Sequence, residues 1–252
     1  MTAFLASARN EWDKLIHRKK YIVFLCIGAA LCLLWTGLGQ LLSDFAREQG
    51  GLSLSFTPTP MGALGFFLQV LVPFLMFMGV TDLLTVEGSE HTMKAMVCRP
   101  VERWKLYLSK ILAVVTYAAF YLACIFVFCA VLNQIFGNPL GIAALLTSLV
   151  SYALTLIPLA VLASFAALIA VLGRSSTLTM FLLLLSYLLL NILPVFFPIL
   201  SEMLFTTYLS WYNLWIGALP GATKLIHMLL IVLGYGAVFI TAGSLLFDRK
   251  EY

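Results

Sequence analysis

Charge is what this chain of 252 residues has least of: Asp, Glu, Lys and Arg make up 10% of it, while 62% is hydrophobic. Soluble domains average about 25% charged and about 45–50% apolar residues. A water-soluble globular protein is therefore excluded, and an all-α polytopic membrane protein is expected. Cysteine is sparse and scattered. Cys26, Cys32, Cys124 and Cys129 lie in apolar runs and Cys98 in a basic loop, with no C-x-x-C and no His at ligand spacing. That pattern supports neither a metal site nor a disulfide framework. No G-x-x-x-x-G-K-S/T occurs and no Lys precedes a Ser or Thr, so the chain has no P-loop of its own. There is no H-E-x-x-H and no paired Asp, and Ser148 and Ser186 have no companion motif for nucleophilic chemistry. His227 with Lys224 reads as an interfacial polar pair at the end of a span. The basic residues flank apolar spans rather than forming a soluble basic domain, which argues against nucleic-acid binding.

What is present is a series of uncharged runs near the roughly 20 residues that a spanning helix needs. Six spans are expected at 21–42, 61–80, 111–133, 142–172, 177–197 and 225–247. The third and fourth come from one uncharged stretch, Ile111 to Gly173, divided where Asn133, Gln134, Gly137, Asn138 and Pro139 mark a turn. The segment 198–222 is aromatic and polar, with Tyr208, Trp211, Tyr212 and Trp215, and is expected to be re-entrant or interfacial on the outer side. None of the acids falls at mid-span, as ion-coupled transporters require. Asp82, Glu87, Glu90 and Glu102 read as cytoplasmic, and Asp44, Glu48 and Glu202 as outside or at the rim.

Of the 15 basic residues, 13 fall on one side of this arrangement, leaving Arg47 and Lys224 on the other. The positive-inside rule then places both termini in the cytoplasm. The basic N-terminal region is some twenty residues long with no A-x-A site, so the first span is expected to be retained. Residues 1–20 carry Phe4, Leu5, Ala8, Trp12, Leu15 and Ile16 at helical spacing, which predicts an amphipathic helix on the inner membrane surface.

The loop after the second span holds a short helical pattern over 86–99. Glu87 and Glu90 open it and Lys94 and Arg99 close it, an order that suits the helix macrodipole. Pro100 disfavours helical geometry at Arg99 and ends it. Met93, Met96 and Val97 form an apolar face, and Met-rich faces are adaptable contact surfaces. The plain alternative is a solvated charged connector.

Together, Asn10, Glu11, Trp12, Lys14, Leu15, Arg18 and Lys19, the loop residues Asp82, Glu87, Thr92, Met93, Lys94, Arg99, Pro100, Val101, Arg103 and Lys110, and the tail Phe247, Arg249 and Lys250 resemble the membrane (permease) subunit of type 2 ABC transporters. The family loop reads E-x-x-x-G-T, then P-I/V-S-R and a Lys opening the third span. This chain has His91 for the Gly and Glu102 for the Ser.

The resemblance implies an N-terminal elbow helix, a coupling helix at 86–99 and re-entrant helices before span six. It implies cytoplasmic P-loop ATPase subunits that carry ATP and Mg, with no cofactor on this chain, and a second permease copy or a paralogous permease. Glu87, Glu90, His91, Thr92, Met93, Lys94, Met96, Val97 and Arg99 would couple to the ATPase, and Glu202 would lie near the outer gate. Gln69 and Asn191 are candidates for a substrate path, although packing alone accounts for such residues and for Pro73, Pro158, Pro194 and Pro198. With so few polar groups in the spans, an exported compound would be amphiphilic or hydrophobic: a peptide antibiotic, a drug or a lipid-linked molecule. The alternatives are an ATPase-coupled complex that senses ligand or transmits force without transport, and an unrelated membrane scaffold or enzyme.

Overall fold

The computed structural model describes residues 2–48, 60–87, 102–135, 141–215 and 221–250. Six helical runs are long and apolar enough to cross a bilayer: Lys19–Leu38, Pro60–Val86, Arg103–Ile135, Ile142–Leu172, Ser176–Phe196 and Leu225–Arg249, spans 1 to 6. No strand occurs among the described residues, so the expected all-α, six-span architecture holds. The helix α1 (Thr2–His17) precedes span 1 and turns into it at Arg18. Its stripe packs on protein: Leu15 is fully buried, and the Trp12 ring lies 5.9 Å from both Tyr117 and Phe120 of span 3.

Spans 2 and 4 are the most enclosed, with 72% and 61% of their apolar windows buried, against 22% for span 1 and 11% for spans 5 and 6. The core therefore lies along spans 2, 3 and 4, and spans 1, 5 and 6 turn much apolar surface outward. Close approach between helices is allowed by glycine at two crossings. Gly28 of span 1 sits against the Tyr121 hydroxyl of span 3, and Gly243 of span 6 against the Tyr107 hydroxyl.

Proline shapes several spans, and the carbonyls it frees are used. Pro73 has no N–H to give to the carbonyl four residues back, that of Gln69. Tyr187 of span 5 donates its hydroxyl to that carbonyl at 2.9 Å. Span 2 is correspondingly irregular: Pro60–Phe66 is α-helical, Phe67–Leu71 is π-helical, Val72–Val80 is α-helical and Thr81–Val86 is again π-helical. In span 5 Pro194 frees the carbonyl of Leu190, which faces the Thr206 hydroxyl at 3.4 Å. Span 4 breaks at Thr155, between Ile142–Leu154 and Leu156–Leu172, three residues before Pro158.

After span 5 the chain forms two 3₁₀ stretches, Pro198–Glu202 and Phe205–Trp215. Phe205 enters a cluster with Phe165, Tyr235 and Phe239 at centroid distances of 5.2, 5.8 and 5.4 Å. Tyr235 lies thirteen residues into the helix Ala222–Arg249, about 20 Å along its axis at 1.5 Å per residue. The segment thus re-enters the bundle rather than lying across its end.

Candidate functional site

Two helices meet the expected loop at its base. The helix of span 2 runs past the expected limit of 61–80 to Val86, and that of span 3 starts at Arg103 rather than near 111. Both extensions carry charge into packed surroundings, which costs several kcal/mol per ion unless the charge is paired. Here the pairing is complete. Lys14 of α1 contacts Glu11 Oε1 at 3.0 Å and Glu87 Oε1 at 2.8 Å. Lys110 of span 3 contacts Glu11 Oε2 at 3.3 Å and Glu87 Oε2 at 2.5 Å. Each carboxylate gives one oxygen to each lysine, so the four side chains form a closed ring of alternating charge with no net charge. The side chains of Glu11 and Lys110 are each 1% exposed and that of Glu87 is 6% exposed. At that depth salt screens little.

A second cluster lies beside the first. Asp82 accepts a hydrogen bond from the Tyr21 hydroxyl at 2.7 Å, meets Arg18 at 3.1 Å, and also pairs with Lys20. The Tyr117 hydroxyl in turn donates to the Tyr21 carbonyl at 3.2 Å. The π-helical stretch Thr81–Val86 explains how Asp82 and Glu87 both reach these partners. Residues five apart are about 140° apart around an α-helix. With i→i+5 bonding they lie nearly one above the other, so both carboxylates face α1 and the start of span 1.

The same end of the bundle is closed by the last turn of span 6. Arg103 donates to the carbonyl of Asp248 at 2.9 Å, and Lys250 donates to the carbonyls of Val171 and Gly173 at 2.6 and 3.3 Å. A cation on the last carbonyls of a helix satisfies groups that have no partner inside it. Burial, then the neighbouring Arg174, pull the Lys250 pKa below its usual value. At the start of span 3, exposed Glu102 accepts from Lys105 and from the Trp104 indole, and these bonds lower its pKa.

Of the residues expected to couple to an ATPase, Glu87 is the one within the described range, and its carboxylate points into the ring rather than toward a docking surface. Glu90, His91, Thr92, Met93, Lys94, Met96, Val97 and Arg99 lie outside the described residues. Gln69 and Asn191 each have a bond to Tyr187: its hydroxyl donates to the Gln69 backbone carbonyl at 2.9 Å, and one turn along span 5 Asn191 Nδ2 donates to the Tyr187 carbonyl at 2.8 Å. Both side chains are exposed on the bundle. Gln69 lines a groove of about 660 Å³ between spans 1, 2 and 5 with Phe24, Phe74, Phe77, Phe181 and Leu188. Glu202 lies at the opposite end, where it lines a cavity of about 500 Å³ with Tyr208, Trp211, Asn213 and His227.

Glu11, Lys14, Asp82 and Lys110 were not singled out as site residues by the sequence reading. The signal available was ionisable residues abutting apolar spans in a chain with so little charge.

The chain finds no match among curated proteins. The family model described as ABC-2 family transporter protein matches residues 8–191, nearly three-quarters of the chain, and takes in α1 from residue 8 on, both ionic clusters, spans 1 to 4 and most of span 5. The chain belongs to that family, and it is a membrane-embedded permease of an ABC transporter rather than its ATPase.

Proposed function

We propose that this permease is one half of an exporter, paired with a second permease and driven by two cytoplasmic P-loop ATPases, and that it moves an amphiphilic or hydrophobic compound outward. Both termini and the 88–101 loop face the cytoplasm in this reading, with 13 of the 15 basic residues. The observation that carries it is the buried ring of Glu11, Lys14, Glu87 and Lys110. It joins α1, the residue from which the loop departs and the start of span 3 into one unit. A push on the loop is thereby delivered to two spans and the elbow at once. Met93, Met96 and Val97 supply the apolar contact with the ATPase, and Glu90, His91, Thr92, Lys94 and Arg99 its polar surround. Glu87 acts at the root of the lever rather than at the contact.

The groove bearing Gln69 faces the partner permease across spans 2 and 5, and its phenylalanine lining suits an apolar permeant. A polar side chain such as Gln69 or Asn191 is costly against lipid and is better placed toward a bundle interior or cavity. Glu202, within the re-entrant segment, stands at the outer mouth.

The test is purification from the native membrane in mild detergent, with co-purifying proteins identified by mass spectrometry. Wild type is expected to bring a P-loop ATPase, and Met96→Asp to lose it while keeping its unfolding midpoint. Glu87→Gln is expected to keep the ATPase bound and to weaken substrate-stimulated ATP hydrolysis. If no ATPase accompanies wild type under several gentle conditions, the reading fails. Stimulated hydrolysis without flux into inverted vesicles would transfer the assignment to ligand sensing.

A further inference from the structure

Two cysteines far apart in sequence meet inside the bundle. Cys32 of span 1 and Cys129 of span 3 are 3% and 6% exposed, and their sulfurs are 3.3 Å apart. Together they line a cavity of about 210 Å³ between spans 1, 2 and 3, walled by Leu31, Trp35, Ala63, Phe66 and Phe67. The walls are apolar and Trp35 is half-exposed at the bundle surface, so a small neutral molecule dissolved in the membrane has a route to the sulfurs.

The separation puts the two sulfurs in direct contact. A disulfide needs about 2.05 Å. From the contact of 3.3 Å the sulfurs must close by about 1.25 Å to bond, a side-chain adjustment made beside an open cavity. Buried thiols are ordinarily inert because apolar burial disfavours the thiolate and limits access; the cavity supplies the access here.

We propose that Cys32 and Cys129 are a dithiol oxidation site, which a membrane-permeant two-electron oxidant converts to a disulfide that pins span 1 to span 3. In the reaction two S–H bonds break and one S–S bond forms. With the neutral azo compound diamide as oxidant, the two electrons and two protons reduce its N=N bond to a hydrazine. Cys32 lies thirteen residues past Lys19, about 20 Å into the span, which favours neutral oxidants over charged ones. Span 1 is largely uncovered by the rest of the bundle, so the cross-link adds a restraint where packing supplies few.

The experiment uses the full chain in its membrane. Membranes are treated with diamide, denatured in SDS and labelled with a mass-tagged maleimide, and the tags are counted against an untreated control. Wild type is expected to lose two of its five reactive thiols, with a peptide cross-link between 32 and 129 by mass spectrometry and full recovery in reductant. Cys32→Ala and Cys129→Ala are each expected to lose none. The oxidised wild type is also expected to unfold at a higher temperature than the reduced protein, a difference absent from both variants. Retention of all five thiols after diamide overturns the proposal. So does an equal loss in the single variants, which would assign the reaction to other cysteines.

Discussion

Removing the ammonium of Lys110 would leave Glu11 and Glu87, both buried, sharing Lys14, which is about one-quarter exposed. Breaking a buried ion pair at one partner typically costs about 3–5 kcal/mol, because the remaining charge stays desolvated. Lys110→Met is therefore expected to lower the unfolding midpoint in detergent strongly, and Lys14→Met to lower it less. Adding Glu87→Gln to Lys110→Met should recover part of the loss, and a double-mutant cycle measures that coupling. Equal, additive losses would mean that the ring does not act as one unit. The Tyr121 hydroxyl presents the opposite case. It is buried with no hydrogen-bond partner among the described residues. An unsatisfied buried hydroxyl costs about 1–3 kcal/mol, so Tyr121→Phe is expected to leave stability unchanged or raise it.

At the scale of helices, the same hydroxyl sets the separation of spans 1 and 3, because it rests on Gly28. Gly28→Ala alone must displace an aromatic ring in a packed interface, at about 1–3 kcal/mol for overpacking. In a Tyr121→Phe background the closest contact is gone while the ring Cζ and Ile125 Cδ1 stay at 3.0 Å from the added Cβ, so Gly28→Ala is expected to cost less than in wild type but not nothing; thermal midpoints of the four proteins decide it. Spans 2 and 5 are joined differently, by the Tyr187 hydroxyl on the carbonyl that Pro73 leaves free. Tyr187→Phe is expected to cost about 0.5–1.5 kcal/mol, the net worth of one hydrogen bond. In a Pro73→Ala background the helix has its own N–H for that carbonyl, and the same substitution should become nearly neutral. A full cost in both backgrounds would show that the proline is not the reason for the contact.

For the molecule as a whole, the uneven burial of the spans is the main clue to assembly. Spans 5 and 6 leave most of their apolar windows uncovered, and span 5 carries Asn191 among them. If span 5 meets a second permease, a bulky residue at the 56% exposed Leu188 collides in the dimer and not in the monomer. Leu188→Trp is expected to reduce the dimer fraction several-fold in native mass spectrometry, with the monomer's unfolding midpoint unchanged. An unaltered dimer fraction would move the interface elsewhere.

The sequence by itself determined the fold class, the number of spans and the asymmetry of charge, because length, hydropathy and the position of basic residues suffice for each. It placed the span limits less well at Asp82 and Lys110. A charge next to an apolar run reads as an end unless its partner is known, and the partners lie up to 99 residues away. Only the tertiary structure decided that Glu87 turns inward, that the prolines of spans 2 and 5 free carbonyls for hydroxyls on other elements, and that 198–215 dips into the bundle. It also brought Cys32 to Cys129 across 97 residues. Periodicity reports which face of a helix is apolar; which neighbour that face meets, and at what depth, depends on how the spans pack.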